Sequence, residues 1–147
     1  MGTEVANAQH TEEALKADID VLWIGARSTA SPFVVQEIAD VLKGSNKPVL
    51  IKNPVNPDVQ LWMGAIERVY SSGIKNIVAI HRGFTPFRDT KYRNYPNWKN
   101  VIELRRLMPN LPIICDPSHI AGKREYLYEI SQKAFDMGME GLMLESH

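Results

Sequence analysis

Five short apolar segments recur along the chain, and the stretches between them have the periodicity of amphipathic helices. None of the five alternates apolar with polar residues, so each predicts a strand that is buried on both faces, as in a parallel sheet covered by helices. Strands that alternate with helices in this way are joined by right-handed crossovers. The sequence therefore predicts an α/β fold of parallel βα repeats. The predicted strands are 20–25, 48–51, 76–80, 111–114 and 141–144.

The stretches between the strands carry start and stop signals of helices as well as apolar stripes. Segment 32–43 has helix signals at both ends. Ser31 can cap its start, Pro32 suits its first turn, and Gly44 suits the position beyond its end. Its apolar residues fall on one helical face. Similar patterns, with one more helix near the N-terminus, predict helices over 8–17, 32–43, 58–72, 97–108 and 123–137. The one long connection, 81–97, has the length of a functional or mobile loop.

Composition indicates a globular protein with one domain. The chain has 147 residues, of which 44% are hydrophobic and 23% charged. Basic and acidic residues both number 17, so no net positive charge favours nucleic acid or an anionic membrane. No apolar run is long enough to span a membrane, and segment 1–20 lacks a signal-peptide pattern. We therefore expect a cytoplasmic protein, in which the single cysteine, Cys115, is a buried and inert thiol.

A polar side chain follows each predicted strand at its carboxyl end. In parallel α/β folds these ends share the edge at which ligands bind, so the side chains should converge on one mouth. Arg27, Lys52 and Arg82 would bring three cations together, which calls for a small polyanion such as a phosphorylated carboxylic acid. His119 and Glu145 would add a nitrogen and an oxygen donor suited to a divalent metal, although two ligands leave such a site incomplete.

Each of these residues also has a purely structural interpretation. A single Arg after a strand more often forms a surface ion pair, and a single His is more often a hydrogen-bonded structural residue than a ligand. Asp116 either caps the helix that follows it or orients His119. Three tryptophans are most simply interpreted as packing residues: Trp23, Trp62 and Trp98.

An ordered set of short motifs spans essentially the whole chain. The motifs are Thr3-Glu4-Val5, Ile24-Gly25-Ala26-Arg27, Val49-Leu50-Ile51-Lys52, His81-Arg82-Gly83, Arg93-Asn94, Asp116-Pro117-Ser118-His119 with Gly122-Lys123-Arg124, and Leu144-Glu145-Ser146-His147. Together they resemble the 3-deoxy-D-arabino-heptulosonate 7-phosphate (DAHP) synthase family, and they are most similar to metal-dependent members that also carry a chorismate mutase domain. That domain is not in this chain, so residues 1–147 are expected to form a single partial synthase domain.

The resemblance implies a TIM (β/α)₈ barrel and a transferase activity. Members of the family condense phosphoenolpyruvate with erythrose 4-phosphate and release inorganic phosphate, the entry step of the shikimate pathway to aromatic amino acids. By this resemblance, the Ala26 amide, Arg27 and Arg82 would hold the phosphate of phosphoenolpyruvate. Lys52 would hold its carboxylate, and Glu4 would lie near the reacting enol.

The resemblance also implies a metal cofactor. His119 and Glu145 would be two ligands of a divalent metal, Mn²⁺ or similar, which acts as a Lewis acid or activates a water. The catalytic set implied in this way is Lys52, His119 and Glu4.

Several family motifs are absent, and their absence matters for activity. The missing ones are an Ala-Gly-Pro-Cys-like strand with a Cys ligand, a Lys-Pro-Arg-like motif for the aldose phosphate, and an Asp ligand after the last strand. The stretch 53–57 also departs from the commoner pattern. A closed barrel typically needs about 250 residues. We therefore expect a partial barrel of about strands 4 to 8, which is inactive alone and forms homo-oligomers through its open sheet edges.

Two alternatives to this function stay open. The chain could belong to a related phosphoenolpyruvate-dependent synthase of the octulosonate 8-phosphate type, although the motif that ends in His119 favours the heptulosonate enzyme. It could also be a complete small protein that kept the barrel fragment as a non-catalytic module for anion binding or interaction. An upstream reading frame with the missing Cys strand would favour the fragment.

Overall fold

A parallel sheet of six strands forms the centre of the computed structural model of the chain, which describes residues 1–146. The strands follow one another in chain order, and every neighbouring pair is parallel. This arrangement confirms the predicted α/β fold of parallel βα repeats. The strands are β1 (Gly2–Val5), β2 (Val21–Ile24), β3 (Val49–Lys52), β4 (Ile77–His81), β5 (Ile113–Cys115) and β6 (Gly141–Leu142).

Strand β1 adds one to the five strands that the apolar segments predict, so the structure corrects that number to six. It pairs with β2 along its whole length, with Gly2 opposite Val21 and Val5 opposite Ile24. Only Val5 in this strand is buried, so the segment lacks an apolar run. Its strand conformation comes from pairing with β2 rather than from a strong pattern of its own.

The five predicted helices are present, together with two short ones. Ser31 caps one of the predicted helices, since its hydroxyl accepts a hydrogen bond from the amide of Val34. The two short helices, α2 (Ala26–Thr29) and α6 (Pro117–Ala121), begin directly after β2 and β5, and the last predicted helix begins as a 3₁₀ turn at Arg124–Tyr126. The helices are α1 (Ala8–Lys16), α2 (Ala26–Thr29), α3 (Pro32–Leu42), α4 (Val59–Ser71), α5 (Trp98–Leu107), α6 (Pro117–Ala121) and α7 (Leu127–Asp136).

The two faces of the sheet differ in burial. Sequential strand order with right-handed crossovers places the helices on one face, and the side chains that point there are fully buried, including Leu22, Ile51, Ala79, Ile113 and Cys115. On the other face, which we call the open face, a row of apolar side chains is only half-buried. This row consists of Trp23, Leu50 and Val78, which lie opposite one another, and the half-buried Ile114, which lies opposite the fully buried Ile80. In a closed barrel of eight strands this face is a packed interior.

None of the helices within residues 1–146 has the length and apolar character that a membrane span requires.

Candidate functional site

A cleft with a volume of about 630 Å³ opens at the carboxyl ends of the strands. Four of the five residues predicted to converge line this cleft, together with two further residues that the family resemblance assigned to the site. These six residues are Arg27, Lys52, Arg82 and His119, with Glu4 and Ala26. Glu145 is not part of the lining, but its Oε1 lies 3.5 Å from Nδ1 of His119. The motif at the end of the chain includes His147, which lies outside the described residues.

Lys52 is the buried cation of the cleft. Its side chain is 7% exposed, and its Nζ lies 3.3 Å from Oδ2 of Asp116 and 3.9 Å from Oε2 of Glu4. An ammonium group loses much of its hydration on burial, so it needs such partners. The two carboxylates therefore fix Lys52 at the floor of the cleft.

Asp116 caps the helix that follows it, which is one of its two predicted roles, and its carboxylate also lies beside the ring of His119. Its Oδ1 accepts a hydrogen bond from the backbone amide of His119 at 3.0 Å and so caps α6. Its Oδ2 lies 2.8 Å from Nδ1 of His119. Burial opposes the charge of this carboxylate, yet its contacts with His119 and the charges of His119 and Lys52 hold its pKa below the ordinary value. The carboxylate of Asp116 therefore lies beside Nδ1 of the imidazole at ion-pair distance, although the two atoms do not have hydrogen-bond geometry.

Glu4 reaches the cleft from the end of β1. Its Oε2 accepts a hydrogen bond from Nε1 of Trp23 at 3.0 Å. A Cβ atom at Gly25 would lie 2.5 Å from Oε1 of Glu4, so a larger residue there would displace this carboxylate from its present position. Trp23 is thus a partner of a site residue on the open face, which corrects its interpretation as packing alone. Trp62 is fully buried, as predicted.

Asn53 joins the carboxyl ends of β3 and β4. It is fully buried, and its Oδ1 accepts a hydrogen bond from the backbone amide of Arg82 at 2.7 Å. Its Nδ2 donates to the carbonyl oxygen of Gly83 at 2.7 Å. Sequence reasoning treated the stretch 53–57 only as a departure from the family pattern. The structure shows that its first residue positions the main chain that carries Arg82.

Asn94 joins β4 to β5 in the same way. Its Oδ1 accepts a hydrogen bond from Nη1 of Arg82 at 3.1 Å, and its Nδ2 donates to the carbonyl oxygen of His119 at 2.6 Å. Gly83 has a φ of +77°, and a Cβ atom there would lie 2.9 Å from Cβ of Asn94. Asn94 therefore fixes the guanidinium of Arg82 relative to His119. Its place in a motif was the only sequence signal for this role.

The cations of the cleft outnumber the anions that face them at its open side. Burial lowers the pKa of the Arg82 guanidinium, the positive charges of Arg93 and Arg27 lower it further, and Asp116 opposes them. Like charges at close range repel unless an anion lies between them. The arrangement therefore suits an anionic ligand, as the strand-end residues predict.

Two residues near the cleft are structural. His81 is fully buried, and its ring lies 5.0 Å from that of Trp98. Burial and the charge of Arg82 lower the pKa of His81 to about 3, so this imidazole is neutral near pH 7. Cys115 is fully buried as predicted, and burial raises the pKa of its thiol.

His119 and Glu145 do not form a complete metal centre. Within residues 1–146, no group of three or more His, Cys, Asp or Glu side chains is placed to hold a metal ion. The nearby carboxylate of Asp116 is engaged by Nδ1 of His119 and by Lys52. Catalytic zinc sites, for comparison, use three protein ligands. The described residues therefore fit only part of a metal site.

Parallel βα units with cations gathered at the carboxyl ends of the strands define this chain as part of an α/β barrel with a cationic mouth. The family model described as the DAHP synthetase I family matches residues 1–147. The chain belongs to this family.

The relatives have the same fold and are longer than this chain. Phospho-2-dehydro-3-deoxyheptonate aldolase of Thermotoga maritima is 29% identical over 128 residues, which are 87% of this chain and 36% of the relative. A truncated form of DAHP synthase from T. maritima has 26% identity and a TM-score of 0.82, over 99% of this chain and 52% of that one. A crystal structure of the T. maritima aldolase (DAHP synthase) has 26% identity and a TM-score of 0.83, over 98% of this chain and 40% of that one.

The chain thus spans between about a third and a half of the length of these relatives. Its fold is part of a TIM barrel, with six of the eight strands that close such a barrel.

Proposed function

We propose that this chain binds phosphoenolpyruvate in the cleft and supplies part of a DAHP synthase active site. In that site phosphoenolpyruvate condenses with erythrose 4-phosphate and inorganic phosphate is released. The observation that carries the proposal is the meeting of Arg27, Lys52 and Arg82 in one cleft. The names of the relatives support the same reaction.

Phosphate and carboxylate would be held by different groups. Arg27 and Arg82 offer guanidinium forks that match the oxygens of a phosphate. The Ala26 amide lies in the first turn of α2, where backbone amides have no acceptor within the helix. Lys52, between the two carboxylates on the floor, offers a point charge to the carboxylate of the substrate. This division positions the three-carbon unit along the cleft.

Glu4 would act beside the enol carbon. Its side chain is 52% exposed at the cleft, and the indole of Trp23 fixes one of its oxygens. A carboxylate held in this way can accept a proton or stabilise positive charge during the condensation. His119 would complete the catalytic set from the end of β5.

A divalent metal would require ligands from outside the described residues. We propose that His119 and Glu145 are two of its ligands, and that Mn²⁺ or a similar cation is the metal. Because these residues fit only part of such a site, the isolated chain is expected to lack turnover.

The proposal is tested by titrating the chain with phosphoenolpyruvate and with inorganic phosphate in a calorimeter. We expect both to bind, and Arg27→Ala to weaken both by about tenfold, since it removes a charge-assisted hydrogen bond. Assays with erythrose 4-phosphate and Mn²⁺ should give no DAHP. Absence of heat with either anion, or equal heat after the substitution, would overturn the proposed binding site, and product formation would overturn the expected inactivity.

The open face and the free edges of β1 and β6 predict self-association of the isolated chain. Unpaired main-chain groups at a sheet edge pair readily with another chain, and the apolar row on the open face gains from burial. We therefore expect homo-oligomers in multi-angle light scattering at micromolar concentration. A single monomeric species across a hundredfold dilution series would contradict this prediction.

The octulosonate alternative is tested by calorimetric titration of the chain with arabinose 5-phosphate and, separately, with erythrose 4-phosphate. The family model and the names of the relatives favour the heptulosonate reaction.

A further inference from the structure

A fourth cation, Arg93, lines the cleft alongside the three that were predicted. It belongs to the long connection between β4 and α5, and no role follows for it from the strand-end pattern. Its side chain has no ion pair and no hydrogen bond within residues 1–146, in contrast to Lys52 and Arg82. The guanidinium is therefore available to a ligand.

The main chain at Arg93 is tied to helix α6. Its amide donates to the carbonyl oxygen of Ala121 at 3.4 Å, and the amide of Asn94 donates to that of Ile120 at 3.2 Å. Asn94 in turn bonds both Arg82 and His119, as described above. The base of the Arg93 side chain is thus held in register with two residues of the site.

Gly122 leaves the space that the stem of the Arg93 side chain occupies. A Cβ atom at Gly122 would lie 2.4 Å from Cβ of Arg93, and the φ of this glycine is +70°. A residue with a side chain would be strained there and would displace the arginine. The stem therefore packs directly on the backbone of the turn that ends α6.

Charge interactions connect Arg93 to the proposed phosphate site. Arg27, Arg82 and Arg93 all line the cleft, and the charges of Arg93 and Arg27 each lower the pKa of the Arg82 guanidinium, so each of the two lies near Arg82. The guanidinium of Arg82 is itself held in place by its hydrogen bond to Oδ1 of Asn94. Three guanidinium groups at one wall match a phosphate group, because its two negative charges and three free oxygens can satisfy several forks at once.

We propose that Arg93 is a third guanidinium ligand of the phosphate group bound in this cleft, and that it makes the site selective for dianionic phosphates over monoanionic carboxylates. This inference rests on the proposed function, since it assumes that the cleft binds the phosphate of phosphoenolpyruvate. It adds a binding residue from the connection after β4, whereas the other ligands lie directly at strand ends.

The test compares Arg93→Ala and Arg93→Lys with Lys99→Ala, which removes one charge from an exposed residue of α5 outside the cleft. Calorimetric titrations use inorganic phosphate, phosphoenolpyruvate and pyruvate, at low and moderate salt. We expect Arg93→Ala to raise the Kd for both phosphates by about tenfold and to reduce the salt dependence of binding, with a smaller change for pyruvate. Arg93→Lys should retain part of the affinity, and Lys99→Ala should change it less than about twofold.

The outcomes separate this inference from the proposed function. One outcome is that the parent chain binds the phosphates and Arg27→Ala weakens this binding, whereas Arg93→Ala changes the Kd by less than twofold. In that case Arg93 is not a ligand, and the proposed function stands. An equal rise in the Kd for the phosphates in Lys99→Ala would also overturn the inference, because the effect would then come from the net charge of the chain. If the parent chain binds neither phosphate, the proposed function and this inference both fail. Circular dichroism of each variant confirms that the fold is retained.

Discussion

Replacing Asp116 with alanine is expected to lower the free energy of unfolding by about 3–5 kcal/mol, which is the effect of leaving a buried charge without its partner. The carboxylate lies 3.3 Å from the buried Lys52 and also caps α6. Asp116→Ala would remove the nearer of the two anions that neutralise Lys52, and it would free an amide of α6. Urea denaturation followed by circular dichroism measures the loss.

The contribution of Asp116 should also depend on pH. Because the pKa of this carboxyl is lowered in the folded chain, the stabilisation is present above the ordinary Asp pKa of about 4 and is lost as pH falls through the lower folded value. The difference in stability between the parent chain and Asp116→Ala should therefore shrink below about pH 4. Asp89→Ala, at an exposed position of the long connection, is the matched control and should change stability by less than about 0.5 kcal/mol. A difference that stays constant down to pH 2 would contradict the assigned role.

The strand-end residues could be predicted because each depends on one local pattern. A continuous apolar run identifies a buried strand, and the first polar residue after it lies at the ligand-binding edge of a parallel sheet. Arg27, Lys52, Arg82 and His119 all follow such runs, and all four line the cleft. This inference needs no knowledge of how far apart the strands are in sequence.

Other features depend on contacts that a local pattern does not carry. Strand β1 has one buried residue, so its conformation comes from pairing with β2. The short helices α2 and α6 have four and five residues, too few for an apolar stripe. Asn53 and Asn94 resemble ordinary loop residues in sequence, and their roles appear only when the ends of neighbouring strands are brought together.

The length of the chain accounts for six strands of a barrel and not for the eight that close one. Six strands in sequential order curve a sheet but leave two edges and an apolar face open, whereas eight strands close it. The proposed anion-binding half of the mouth lies within the six strands, since Arg27, Lys52 and Arg82, which would bind the phosphate and carboxylate of the substrate, follow or end β2, β3 and β4. The incomplete half is the proposed metal site, because His119 and Glu145 belong to no group of three or more candidate ligands among residues 1–146. We therefore propose that binding of an anion and turnover are separable properties of this chain.

Replacing Lys52 with methionine is expected to raise the Kd for phosphoenolpyruvate by about 100-fold, because the buried ammonium is the proposed partner of the substrate carboxylate. Methionine has a similar length and keeps the floor of the cleft filled. Inorganic phosphate has no carboxylate, and Arg27 and Arg82 would still hold it, so its Kd should rise by no more than about fivefold through the loss of one nearby charge. Calorimetric titration of both anions measures the two changes.

The ratio of the change in Kd for phosphoenolpyruvate to that for inorganic phosphate tests whether different residues hold the carboxylate and the phosphate. A general loss of structure or of positive charge would weaken both anions alike, and Lys99→Met, at an exposed position of α5, controls for the charge. Glu4 and Asp116 would lose a common cation in Lys52→Met, so a thermal melt of the variant is needed beside the titration. If the folded variant binds phosphate and phosphoenolpyruvate with the same relative loss, Lys52 does not hold the carboxylate. In that case its burial between two carboxylates serves to connect β1, β3 and β5, and the carboxylate ligand must be sought among the other cations of the cleft.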